Sequence, residues 1–148
     1  VALQARLAKD GPQLVHWVAS VPDIDAALAA LQGIGIQRGP VVSASRDTPH
    51  GLLQWRISVR DDGQRLFNGV LPTLIQWGAM HPTQHMPASG ITLHQLRLRH
   101  TGAAGLRAAL QALGLAGMSV VDGHEGPASL VASLDTPAHG RLTLLSPP

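Results

Sequence analysis

The stretch QLVHWVASVPDIDAALAALQGIGI (residues 13–36) carries two hydrophobic periods in succession. From Gln13 to Val21, Val15, Trp17, Ala19 and Val21 alternate with His16, Val18 and Ser20, the period of two of a half-buried strand. Pro22 breaks the pattern, and Asp23 offers a side-chain oxygen to cap a helix. Ile24, Ala27, Leu28 and Leu31 then share one helical stripe, with Gly33 as its stop. Residues 92–115 repeat the order. Leu96 and Leu98 alternate with Gln95, Arg97 and Arg99, Thr101 stands at the capping place, and Leu106, Leu110 and Leu113 form the stripe. Ala29-Ala30-Leu31-Gln32 matches Ala108-Ala109-Leu110-Gln111, and Gly35-Ile36 matches Gly114-Leu115, at a constant offset of 79 residues. A matched strand ahead of each matched helix reads as a duplicated unit.

Three strand candidates follow each helix. In the first half they are 37–43, 52–60 and 70–77, separated by turn sequences at 47–51 and 61–63. In the second half they are 118–122, 129–134 and 141–145, with 135–140 as the last turn. The pattern predicts an α+β fold of two βαβββ units, residues 13–77 and 91–146, joined by a Pro-, His- and Met-rich linker over 78–90. The expected product is one domain, a curved and mainly antiparallel sheet with helices on its convex face.

The composition excludes several classes. The chain has 148 residues, 45% apolar and only 14% charged, which favours a packed core over disorder. It lacks cysteine, so disulfide, thiolate and cysteine–zinc chemistry are absent, in keeping with a reducing, cytoplasmic setting. No apolar run reaches the roughly 20 residues of a membrane span. The pI of 10.4 accompanies a net charge of only +2. It reflects arginine in ten of eleven basic positions rather than a broad basic field. Scattered arginines with four aromatics, Trp17, Trp55, Phe67 and Trp77, argue against nucleic-acid binding. The single glutamate, Glu125, sits in the turn-like 122–127, so a mechanism needing a glutamate has one candidate.

The residues between the helices resemble a known family. Gly39-Pro40-Val41-Val42, Ser45-Arg46, Pro49, Gly51, Leu53-Gln54-Trp55-Arg56, Leu71-Pro72-Thr73-Leu74-Ile75-Gln76-Trp77 and His81-Pro82 are similar to the glyoxalase-like domains of bacterial proteins. These belong to the vicinal-oxygen-chelate superfamily of glyoxalases, ring-cleaving dioxygenases and bleomycin-resistance proteins. The resemblance covers residues 14 to 145 and implies the βαβββ unit. It differs at Gln76, where the family tends to have aspartate, and at His16, where it tends to have a small residue. Members usually carry a further unit ahead of this one, and the chain opens at Val1 where the linker into the second unit is expected. It therefore reads as a fragment or a short member.

The resemblance implies metal ligands from the first and last strands of each unit. Those positions are His16, Gln76, about Thr143 and Gln95, with His94 taking the ligand face instead if a one-residue bulge intervenes. One histidine, two amides and a hydroxyl make a poor divalent site. No metal is expected in this chain; His16 and Gln76 are weak candidates, and a divalent ion belongs to a full-length form. The pair His81 and His85 has a helical ligand spacing, but Pro82 and Pro87 oppose a helix. His124-Glu125 begins a metalloprotease-like motif that Gly126-Pro127 ends. Gly33-x-Gly35 follows a helix and is no dinucleotide loop.

If helices cover the apolar face of 52–60, the polar face lines a cup. That cup receives His16, Ser20, Gln54, Arg56 and Gln76 from the first half, and Gln95 and Arg97 from the second. Arg56, with Arg46 or Arg97, is then the group to meet a small anion, and Arg56→Ala should abolish its binding. A solvent-exposed sheet face with ordinary surface arginines is the alternative. Trp55 and Trp77 are expected in the core. Three readings follow: a glyoxalase-like lyase, isomerase or oxygenase acting on a small anionic metabolite, a non-catalytic small-molecule-binding module of the bleomycin-resistance type, or a structural or dimerising domain. Units of this kind often pair edge to edge, which leaves a homodimer open.

Overall fold

The computed structural model describes residues 2–124 and 126–147. Glu125 lies outside them. Two βαβββ units follow a short N-terminal helix, and the fold is α+β. Helix α1 (Ala2–Asp10) was not expected from the periodicity; its Ala, Leu, Gln, Arg and Lys residues are strong helix formers, and Gly11 ends it at φ +72. The first unit comprises β1 (Val18–Ser20), α2 (Ile24–Gly33), β2 (Val41–Thr48), β3 (Gly51–Ser58) and β4 (Thr73–Trp77). The second comprises β5 (Thr92–His100), α3 (Ala103–Ala112), β6 (Ser119–Asp122), β7 (Ser129–Thr136) and β8 (Gly140–Leu145). The strands form two four-stranded curved sheets, and four of the six strand pairings are antiparallel.

The helix caps follow from sequence in one unit and depart from it in the other. Asp23 caps α2, its Oδ1 accepting the N–H groups of Asp25 at 3.0 Å and Ala26 at 3.1 Å. Helix α3 begins one residue later than expected, at Gly102 rather than Thr101, because the ring Nδ1 of His100 accepts the Gly102 N–H at 2.9 Å. The helix ends repeat faithfully. Gly35 (φ +79) and Gly114 (φ +72) take the left-handed turn, and the next residues, Ile36 and Leu115, donate back to Leu31 and Leu110.

The repeat stops at hydrogen-bond order. Sheet one runs β1-β4-β3-β2, whereas sheet two runs β6-β5-β7-β8. In unit one the connection after α2 is pinned away from β1. Arg38 donates to the Pro72 carbonyl, and Gly39 (φ +96) lies so close to β3's end that a Cβ would meet the Val59 carbonyl oxygen at 2.5 Å. The residues 79 positions on are Gly117 and Met118, which carry no such anchor, and β6 pairs directly with β5.

One buried cluster joins the units. Ile24 and Leu31 of α2, Leu74 of β4, Leu98 of β5, and Leu106 and Leu110 of α3 are all buried in it, and the two helices pack on each other. Each such side chain contributes about 1.5–3 kcal/mol relative to exposure. A backbone bond between units, such as Leu14 N–H to the Leu145 carbonyl at 2.8 Å, adds only about 1 kcal/mol. The shared core therefore couples the units. Strand β1 is shorter than the alternation of 13–21 predicts, because the chain at Leu14 turns to reach β8.

Candidate functional site

The face of sheet one turned away from α2 holds the most unusual chemistry. On it His16, from the segment before β1, sets Nε2 2.8 Å from Oγ1 of Thr73 on β4. The same hydroxyl oxygen accepts an N–H from Nη2 of Arg38 at 3.0 Å, and that nitrogen also donates to the Pro72 carbonyl. Arg38 is only 6% exposed, forms no ion pair among the described residues, and its Nε has no hydrogen-bond partner. A buried guanidinium without a carboxylate is costly. Burial, and then Arg60, lower its pKa from the ordinary value. His16 is held below the usual imidazole range by burial first, then by Arg38 and Arg65, against an opposing contact with the Gly69 backbone. A hollow of about 360 Å³ opens beside these groups, with Val18, Ile57, Val59 and Leu71 among its apolar walls and Arg65 at its edge. Arg60 also reaches it but is neutralised by Asp62, whose carboxyl it pulls down to about 2.

The expectation that His16 and Arg56 share one hollow is not met. Gln54, Arg56 and Gln76 do come together, but on the face under α2. Arg56 grips Asp25 of the first turn of α2 through two bonds of 2.8 and 3.0 Å, and Gln76 Oε1 accepts the Ile24 N–H at 3.0 Å. Strand residues alone showed no acid near Arg56; the helix supplies it. The helix thus covers the more polar side of β3 and β4, where Ser58 Oγ also takes the Leu74 N–H. Trp55 and Trp77, expected in the core, consequently lie on the other face. They form a half-buried tilted pair with centroids 5.9 Å apart, outside the main cluster. Alternation identified the two faces of the strand but not which one the helix would take.

The remaining candidates are dispersed. Arg46 is exposed on β2 opposite Leu53. Gln95 and Arg97 are exposed on the sheet-two face turned away from the core. The register slips between Leu93 and Gln95, so His94 is the extra residue of a β-bulge. The bulge places His94 beside Asp135 and Arg141, on the same side as Gln95. His81 caps a short turn of 3-10 helix (Pro82–His85) through Nδ1, while His85 stacks on His50 at 4.3 Å. His124 pairs with Asp122 at 3.1 Å on the surface.

The metal that the resemblance implies does not fit these donors. Gln76 Oε1 is occupied by the helix N-terminus on the opposite face from His16, and Gln95 and Thr143 belong to the other sheet. Among the described residues no three His, Asp or Glu side chains gather as a ligand set.

A comparison with protein families now adds to the geometry. The profile of the glyoxalase-like domain matches residues 1–114, about three-quarters of the chain. The chain belongs to the glyoxalase-like domain family. The match to the glyoxalase-like domain takes in all of unit one, β5 and α3, and ends before β6–β8, where the strand order departs from that of unit one. No curated protein and no solved structure matches the chain. Among the described residues no helix is long and apolar enough to cross a membrane. Arg38 escaped the sequence reading of this glyoxalase-like domain because it lies in a connection, off every strand face. Its one signal is its place directly before Gly39-Pro40-Val41-Val42.

Proposed function

We propose that this glyoxalase-like domain binds a small anionic molecule in the hollow beside His16, Arg38 and Thr73. Arg38 carries the reading: a buried cation without a carboxylate among the described residues, its Nε without a hydrogen-bond partner, next to a cavity of ligand size. The arginine expected from sequence to do this, Arg56, is spent on Asp25. Between catalysis by a lyase, isomerase or oxygenase and plain binding, the separation of the strand donors favours the non-catalytic module. A cytoplasmic setting goes with the reading, since the chain uses no cysteine. Calorimetric titration with acetate, benzoate and inorganic phosphate tests it. At least one should bind the wild-type protein at one per chain and bind Arg38→Gln at least tenfold more weakly; no heat from any of the three would overturn it.

A further inference from the structure

Resting on that reading, we infer that the ligand is a carboxylate with a short apolar body, a branched aliphatic or aryl acid, rather than a phosphorylated compound. The donor set argues first. Arg38 has already given Nη2 to Pro72 and Thr73, yet its charge meets no carboxylate among the described residues. Arg65 stands at the edge without an ion pair among the described residues, and the Arg60 charge is cancelled by Asp62. A phosphate dianion is normally met by several backbone N–H groups at a helix N-terminus or a glycine-rich nest. Neither α2 nor α3 contributes a residue to this hollow. One buried guanidinium with a hydroxyl beside it matches a single carboxylate.

The walls argue second. Leu71 is fully buried beneath the hollow, while Val18 and Val59 stand 50% and 44% exposed along it. Apolar surface beside a buried cation rewards a ligand that is charged at one end and greasy at the other. At about 360 Å³ the space lies at the small end of ligand cavities. It therefore suits a compact acid rather than a nucleotide or a long acyl chain. His16, its Nε2 already bonded to Thr73 and its pKa lowered by burial and by Arg38 and Arg65, adds no second charge that would demand a dianion.

The test compares isovalerate, benzoate, acetate, isovaleramide and inorganic phosphate by calorimetry on the whole chain. Isovalerate and benzoate should bind one per chain. Acetate should be at least tenfold weaker, since a fully buried methylene tightens binding by about fourfold. Isovaleramide, matching the shape without the charge, should give no measurable binding. Because Arg38→Gln could disturb the connection it anchors, Val18→Asp supplies a second variant at an exposed position. It should weaken benzoate at least tenfold with an unchanged unfolding midpoint. Phosphate binding as tightly as benzoate, acetate matching isovalerate, or Val18→Asp leaving benzoate unaffected would overturn the inference and leave an anion site standing. Failure of every anion to bind would remove the site itself.

Discussion

His16 and Thr73, 57 residues apart, share a hydrogen bond of 2.8 Å across the face of sheet one, and the Thr73 hydroxyl is also the acceptor for buried Arg38. Thr73→Val keeps the shape and removes this common partner. Buried Arg38 and half-buried His16 then each lose a bond, at a cost of about 1–3 kcal/mol for any buried group left unsatisfied. Urea unfolding should show this loss, and Thr73→Ser should restore most of it. Thr73→Val as stable as wild type would mean the triad carries no energy.

The histidine also sets a pH dependence. Its folded pKa lies below the ordinary 6.5 because burial, Arg38 and Arg65 disfavour the charged ring. An unfolded chain takes up this proton near pH 6.5, whereas the folded chain resists it until lower pH. Stability is thus full above that value and falls as the pH drops beneath it. Asp62, held down to about 2 by Arg60, acts in a separate window, losing its contribution between about pH 4 and 2. Thermal melts between pH 7.5 and 5 should decline for wild type and flatten for His16→Asn; parallel curves would contradict the assignment.

Arg56→Ala distinguishes the structural reading from the one drawn on strand faces. Its partner Asp25 is exposed, so the ion pair is screened by salt and contributes little. The variant should keep wild-type affinity for benzoate in calorimetry. Loss of binding would return the ligand to the α2 face.

Gly39 and Gly35 both have positive φ but different surroundings. A Cβ at Gly39 would lie 2.5 Å from the Val59 carbonyl oxygen, whereas at Gly35 nothing stands within 4 Å. Gly35→Ala should cost about 1–2 kcal/mol from backbone conformation alone. Gly39→Ala should cost clearly more, and it should also weaken benzoate by shifting Arg38. Equal midpoints for the two variants in urea would show that the connection has room to yield.

The common core predicts that the units unfold together. All three tryptophans lie in unit one, so their fluorescence follows that unit, while far-ultraviolet circular dichroism follows both. The two transitions should coincide, and Leu106→Ala in unit two should lower both by about 2–5 kcal/mol. A fluorescence transition unmoved by Leu106→Ala would separate the units.

Local signals in the chain determined the elements of the two units, though not α1. Periods of two and of about 3.6 residues marked the strands and α2, Asp23 its start and Gly33 its end, with Gly114 close to the end of α3, because these features depend on near neighbours alone. Three decisions belonged to the tertiary structure. Which face of β3 and β4 the helix covers depends on Leu74 joining Ile24 and Leu31 in the shared core and on Gln76 accepting from the α2 N-terminus, partners that only packing brings together. The strand order of unit two depends on whether the connection after its helix is anchored, and Arg38 anchors only the first. The cationic hollow exists because that same arginine, drawn in from a connection with no periodicity, is buried beside Thr73 and His16.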